Sequence, residues 1–169
     1  MPMEKVKAGE NINMKIYLAS SWKNKPYVCQ WAKKLRFFKF EVDAFCDEEC
    51  KDRIVYEISK IKGSENTNIK DFMLHGEVQK AFAENKKWLD WCDVLILLLP
   101  AGKSSHLEAG YAAGTGKKVV IYSEKFILGE YDVMYGFADL ITDDLGDVIT
   151  FLYRERRTIK KRGIKWEDI

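Results

Sequence analysis

The sequence predicts an α/β protein: a doubly wound, five-stranded, mostly parallel sheet with helices on both faces. Three observations carry this prediction. Short β-rich runs alternate along the chain with segments of helical periodicity, the pattern of βαβ units joined by right-handed crossovers. The run Val94–Leu99 is apolar at every position, as expected of a central parallel strand covered on both faces. The chain has 169 residues, enough for one domain with a real core and little room for a second.

Residues 1–13 are polar and read as a flexible N-terminal arm, leaving 14–169 as a single domain. "MKIYLA" (Met14–Ala19) is a first strand, closed by Ser20 and Ser21. Tyr27, Trp31, Leu35 and Phe38 then recur at helical intervals, and "FEVDAFC" (Phe40–Cys46) reads as a second strand. The polar stretch Asp47–Lys70 shows weak periodicity and is expected to be an insertion or loop. Val78, Phe82, Trp88 and Leu89 mark a helix over Glu77–Trp91 that leads directly into "DVLILLLP". After Pro100 and Gly102, Ser105–Thr115 supplies a helix rich in Ala and Gly, whose small side chains let it lie close to the sheet. "KKVVIY" is a fourth strand, "ADLIT" (Ala138–Thr142) a fifth, and Leu145–Lys161 the closing helix.

Ligands of such sheets bind outside the carboxyl ends of the strands where the strand order reverses, commonly between the first and third strands. That rule brings Ser20 and Ser21 opposite the segment Gly102–Glu108. Gly102-Lys103-Ser104 is not a nucleotide-triphosphate loop, because the first glycine of that motif would fall at Leu97, inside a strand. Lys103 is then an exposed side chain at the rim. Ser105-x-x-Glu108 fits a capping box, in which Ser105 caps the helix and Glu108 reaches back. That geometry puts a carboxylate in the first turn, at the positive end of the helix dipole, where it stays ionised and usable as a nucleophile.

Composition narrows the function classes. Hydrophobic residues make up 47% and charged residues 32% of the chain, with a formal charge of +2, so no strong attraction to nucleic acid or an acidic membrane is expected. No run is long enough to span a bilayer and the first residues are polar, which reads as a cytoplasmic protein. The four cysteines, Cys29, Cys46, Cys50 and Cys92, and the two histidines, His75 and His106, lack metal-ligand spacing. They read as reduced thiols and ordinary histidines, with no metal. The tail "YRERRTIKKRGIKW" carries seven Lys or Arg between Arg154 and Lys165; a solvated helix is preferred over a nucleic-acid or subunit contact.

The order of these pieces resembles the nucleoside 2-deoxyribosyltransferase superfamily, which includes nucleotide N-glycosidases. The residues concerned are Tyr17-Leu18-Ala19-Ser20 in the first strand, Asp93 entering an apolar strand, and Ser105-x-x-Glu108-x-Gly110-Tyr111-Ala112, with Met134-Tyr135-x-x-Ala138-Asp139 farther on. The likeness runs from about Lys15 to Thr142. It implies chemistry at the anomeric carbon of a nucleoside or nucleotide, with Glu108 as the attacking glutamate and no cofactor. Asp93 matches a second acidic residue, implied to position or protonate the leaving base; by itself it also reads as a polar cap at a strand start. Ser20 and Ser21 match the loop bordering the sugar or its 5′-phosphate, and Ser104 and Ser105 match small hydroxyl residues that contact that phosphate; each pair also reads as ordinary loop serines. Tyr17, Trp22 and Phe45 are placed to sandwich a base, or are simply core.

Two positions depart from the pattern. Asn85 stands eight residues before Asp93, where many relatives have aspartate. It can hydrogen-bond a sugar but cannot act as a base. His106 has two readings, a contact to substrate or glutamate and a capped surface histidine. The expected partners are a small-molecule nucleoside or nucleotide and further copies of the chain, a homo-oligomer, with neither membrane nor nucleic acid. A catalytically idle nucleotide sensor and an NAD glycohydrolase remain open beside the enzyme.

Overall fold

The computed structural model describes residues 13–45, 54 and 68–163, with side chains up to residue 159. Among them, five parallel strands form one sheet in the order β2-β1-β3-β4-β5: β1 (Lys15–Ala19), β2 (Glu41–Ala44), β3 (Val94–Leu98), β4 (Lys118–Tyr122) and β5 (Leu140–Thr142). The strand order reverses between β1 and β3, which pair with Ile16 against Val94 and Ala19 against Leu97. Helices α1 (Lys25–Phe37), α2 (Ile69–Leu74), α3 (Gly76–Trp91), α4 (Lys103–Gly114) and α5 (Leu145–Gly163) connect and close the strands.

Side chains of a strand alternate between the two faces, so a sheet covered on both sides needs apolar residues at every position. Ile16, Leu18, Val94, Ile96, Leu98 and Val120 face one side, where α1 adds Val28, Trp31 and Leu35 and α5 adds Val148, Phe151 and Leu152. Tyr17, Ala19, Leu95, Leu97, Val119 and Ile121 face the other side, against Leu89 of α3 and Ala109 and Ala112 of α4. The uninterrupted apolar run of β3 thus serves two separate cores. The buried residues of α4 are Ser105, Ala109 and Ala112, so only small side chains separate this helix from the sheet.

The structure corrects three sequence expectations. Helix α4 starts at Lys103 rather than Ser105, and its cap residue, Gly102, makes no side-chain cap. The capping box is therefore not formed: Ser105 is the third helical residue and faces the sheet. Glu108 falls in the second turn, beyond the strongest part of the helix dipole. The stretch Asp47–Lys70 lies largely outside the described residues, as does the N-terminal arm apart from residue 13. Its end is helical: the Asn68 side chain accepts from the amides of Lys70 and Asp71 and opens α2. Cys29 and Cys92 are free thiols, whereas Cys46 and Cys50 lie outside the described residues. Among the described residues no helix is long and apolar enough to cross a membrane, and no three His, Cys, Asp or Glu gather to hold a metal ion.

Candidate active site

At the carboxyl ends of β1 and β3 the chain turns sharply, leaving carbonyl groups that need donors. Serine hydroxyls supply them. Ser20 Oγ donates to the Leu98 carbonyl at 2.8 Å, and Ser105 Oγ donates to the Ser20 carbonyl at 2.9 Å. Asn24 Nδ2 donates to Ser20 Oγ at 3.1 Å and to the Pro100 carbonyl at 2.6 Å. Ser20 and Ser105 are both buried. Ser21 accepts from the Lys23 amide at 3.3 Å and caps the 3-10 turn Trp22–Asn24. Of the four serines expected around a phosphate, Ser20 and Ser105 are therefore engaged in joining β1, β3 and α4, and Ser21 in capping a turn. Ser104 is the exposed one.

Glu108 lines a cavity of about 260 Å³ between α3 and α4. Two helical stripes form its walls: Phe82, Asn85 and Leu89 from α3, and Ser104, Glu108 and Tyr111 from α4. Residues three or four apart share a helix face, which is why these positions meet. Phe82 and Leu107 stand on the rim, 64% and 75% exposed. Glu108 is the one carboxylate in this lining and Asn85 faces it from the neighbouring helix. Thus the structure brings together Glu108, Asn85 and Ser104 of the residues singled out in the sequence.

Lys86 and Tyr111, which also line the cavity, converge on Asp90. Lys86 Nζ approaches Asp90 Oδ2 at 2.5 Å, and Tyr111 donates its hydroxyl to Asp90 Oδ1 at 2.6 Å. The hydrogen bond from Lys86, then that from Tyr111, holds the Asp90 carboxyl below the usual carboxylate range. Lys117 Nζ donates to the Asp90 and Cys92 carbonyls at 2.8 and 2.6 Å, fixing the end of α3. Phe82, Lys86 and Tyr111 were not named as site residues from the sequence, although Phe82 marked its helix and Tyr111 belongs to the motif around Glu108. Extending a helical stripe by three residues from Asn85 and from Glu108 finds Phe82 and Tyr111, and Lys86 follows one turn after Phe82.

The remaining candidates lie elsewhere. Asp93 sits at the amino edge of the sheet, where its Oδ2 accepts from the Lys15 amide at 2.9 Å. A strand of five residues separates it from the carboxyl end, about 16 Å at the usual rise per residue. It does not line the Glu108 cavity, and its contact to the Lys15 amide is that of a polar cap at a strand start. Tyr17 is buried in the core between the sheet and the α3/α4 layer. Trp22 and Phe45 pack edge-to-face on each other with centroids 4.8 Å apart, leaving no slot for a base between them.

His106 points to the opposite flank of α4. Its Nδ1 lies 2.8 Å from the Gly102 carbonyl and so carries the proton, leaving Nε2 to accept from the Tyr135 hydroxyl at 3.2 Å. The two rings stack with centroids 5.9 Å apart and planes inclined by 14°.

No protein-family model matches the chain, and no curated protein matches it in sequence. Solved structures do. A 2-deoxyribosyltransferase from Bacillus psychrosaccharolyticus superposes with a TM-score of 0.58 at 17% identity, covering 80% of this chain and 90% of that one. The CMP N-glycosidase BcmB of Clostridium botulinum gives a looser superposition, TM-score 0.47 at 16% identity, over 82% of this chain and 97% of that one. The first match shows that this chain has the 2-deoxyribosyltransferase-like fold; at such identities it is the fold that is shared.

Proposed function

We propose that the chain is a member of the nucleoside 2-deoxyribosyltransferase superfamily. In this reading it cleaves or transfers the N-glycosidic bond of a nucleoside or nucleoside 5′-monophosphate, with Glu108 as nucleophile. The observation that supports this most is the position of Glu108. It is the one carboxylate lining the cavity between α3 and α4, with Asn85 opposite, on the fold of an enzyme described as a 2-deoxyribosyltransferase.

In the first step a Glu108 carboxylate oxygen bonds to C1′ as the C1′–N bond breaks. The bonding pair leaves with the base, which takes a proton. The transition state resembles an oxocarbenium ion, which an anionic carboxylate stabilises and then captures. In the second step water or another base attacks C1′ and frees the carboxylate. Water makes the enzyme a hydrolase and a second base makes it a transferase. Asn85 supplies a donor and an acceptor for a sugar hydroxyl but no basic group. The exposed Ser104 hydroxyl and the uncapped amides at the start of α4 offer donors to a 5′-phosphate. Ser20 and Ser105 act through the backbone they hold, as positioning residues.

Incubation with nucleosides, nucleotides and NAD, followed by chromatography of released bases, tests this reading. Wild type is expected to release base and to show a glycosyl adduct on Glu108 by mass spectrometry. Glu108→Gln is expected to lose about 10³-fold or more of the turnover. Turnover by Glu108→Gln at the wild-type rate overturns the assignment. Asn85, in place of an acid, favours a second reading, a catalytically idle nucleotide sensor: nucleotides then bind and no base is released.

A further inference from the structure

We propose that the chain carries a docking surface for a single-stranded polynucleotide, formed where the ends of α1 and α5 lie side by side. The small net charge of +2 conceals how the charges are sorted. Residues 33–41 and 154–162 hold ten Lys or Arg against two carboxylates, Glu41 and Glu155, whereas residues 124–147 hold seven Asp or Glu against Lys125 alone. An ordinary solvated surface intersperses the two signs. Helix dipoles favour a cation or two in each last turn, which does not account for this number.

The fold turns two basic segments into one patch. Helices α1 and α5 each follow a parallel strand and pack on the same face of the sheet, so their last turns come out together at its amino edge. The Tyr153 hydroxyl of α5 donates to the Phe38 carbonyl at the end of α1, at 3.5 Å and across 115 positions of sequence. The Tyr153 ring lies 5.4 Å from that of Phe40, and the Arg156 guanidinium stands 5.8 Å from the Phe40 centroid.

The chain itself engages few of these cations. Arg36 donates to the Val42 carbonyl at 2.9 Å, and Arg154 meets Glu155 at 3.4 Å. Lys33, Lys34, Lys39 and Arg157 are exposed and form no ion pair among the described residues. Residues four apart share a helix face, so Lys33 stands with Phe37 and Arg157 with Tyr153. Phe37 is 78% exposed and Tyr153 38%, so each helix presents an aromatic ring among its cations. Cations that follow a phosphate backbone and rings on which bases stack are the two parts of a single-strand site. A lipid surface fits less well: Val148, Phe151 and Leu152, the apolar face of α5, lie in the core and leave no stripe to enter a bilayer. The patch is on the face of the sheet away from α3 and α4, and it stands whether or not Glu108 attacks a nucleoside.

The test is the fluorescence anisotropy of labelled oligothymidylate and, separately, oligouridylate of about 15 nucleotides, titrated with the full chain. Binding of either supports the proposal, and the tighter of the two identifies the sugar. With about five phosphates neutralised, affinity is expected to fall about a hundredfold between about 50 and 200 mM salt. The double variant Lys34→Glu, Arg157→Glu is expected to weaken binding about tenfold or more, and Phe37→Ala about fivefold or more. All three side chains are exposed, so the variants are expected to fold as wild type does. A duplex of the same length, whose bases are already stacked, is expected to bind less tightly. No binding at low salt, wild-type affinity in either variant, or tighter binding of the duplex overturns the proposal. So does binding to vesicles of phosphatidylserine and phosphatidylcholine by a chain that binds neither oligonucleotide, because the patch is then a membrane contact.

Discussion

Cys92 ends α3 with its thiol inside the core beneath α3 and α4, where Sγ donates to the Leu89 carbonyl at 3.2 Å. Burial pushes this thiol from its ordinary 9.0 up to about 12, the nearby Lys117 charge opposing and Asp93 and Asp43 assisting. A pKa raised in the folded state leaves stability untouched below 9, where both states hold the proton. Between about 9 and 12 unfolding releases it, so stability falls as pH rises, by at most about 1.4 kcal/mol per pH unit from this group. Denaturant midpoints measured from pH 8 to 11 are expected to fall less steeply for Cys92→Ala than for wild type; parallel curves refute the attribution. Residue by residue, the site was partly legible in the sequence. Glu108 and Asn85, each picked out there separately, line one cavity. Asp93 does not join them, for a reason the sequence already contained: a residue preceding a parallel strand lies at the amino edge, away from the ends where ligands bind.

Among the elements, α4 shows what a local motif leaves undecided. Ser105-x-x-Glu108 satisfies the capping-box pattern, yet the helix begins two residues earlier and turns Ser105 towards the sheet, where the Ser20 carbonyl needs a donor. A four-residue pattern contains no record of a carbonyl 85 positions away. The small residues of α4 were legible because their burial follows from helical period alone. Ser105→Ala leaves that buried carbonyl without its donor and is expected to lower unfolding free energy by about 1–2 kcal/mol. Ser104→Ala, on the exposed side, is expected to stay within about 0.5 kcal/mol of wild type. Equal losses in the two variants, measured by chemical denaturation, contradict the structural role given to Ser105.

At the scale of the whole molecule, strand number and strand-helix alternation were readable from apolar runs, and the parallel arrangement follows from the helices between them. A cavity of about 670 Å³ beside α4 was not readable, since its walls come from α4, the middle of the sheet and the segment after β4. Stability is expected to be graded across the molecule. In hydrogen exchange, amides of β1 and β3, buried on both faces, are expected to exchange last, and those of α2, which buries no residue, among the first. Faster exchange in β3 than in α2 refutes this ordering. The central place of β1 also bears on how the chain is made. Its neighbour β3 is joined to it through partners 78 residues apart, Ser20 and Leu98. During synthesis β1, α1 and β2 leave the ribosome long before β3, and one whole edge of β1 waits without its hydrogen-bonding strand. A nascent chain paused before Val94 presents that apolar edge to its surroundings, which makes the interval the stretch of translation most dependent on chaperones.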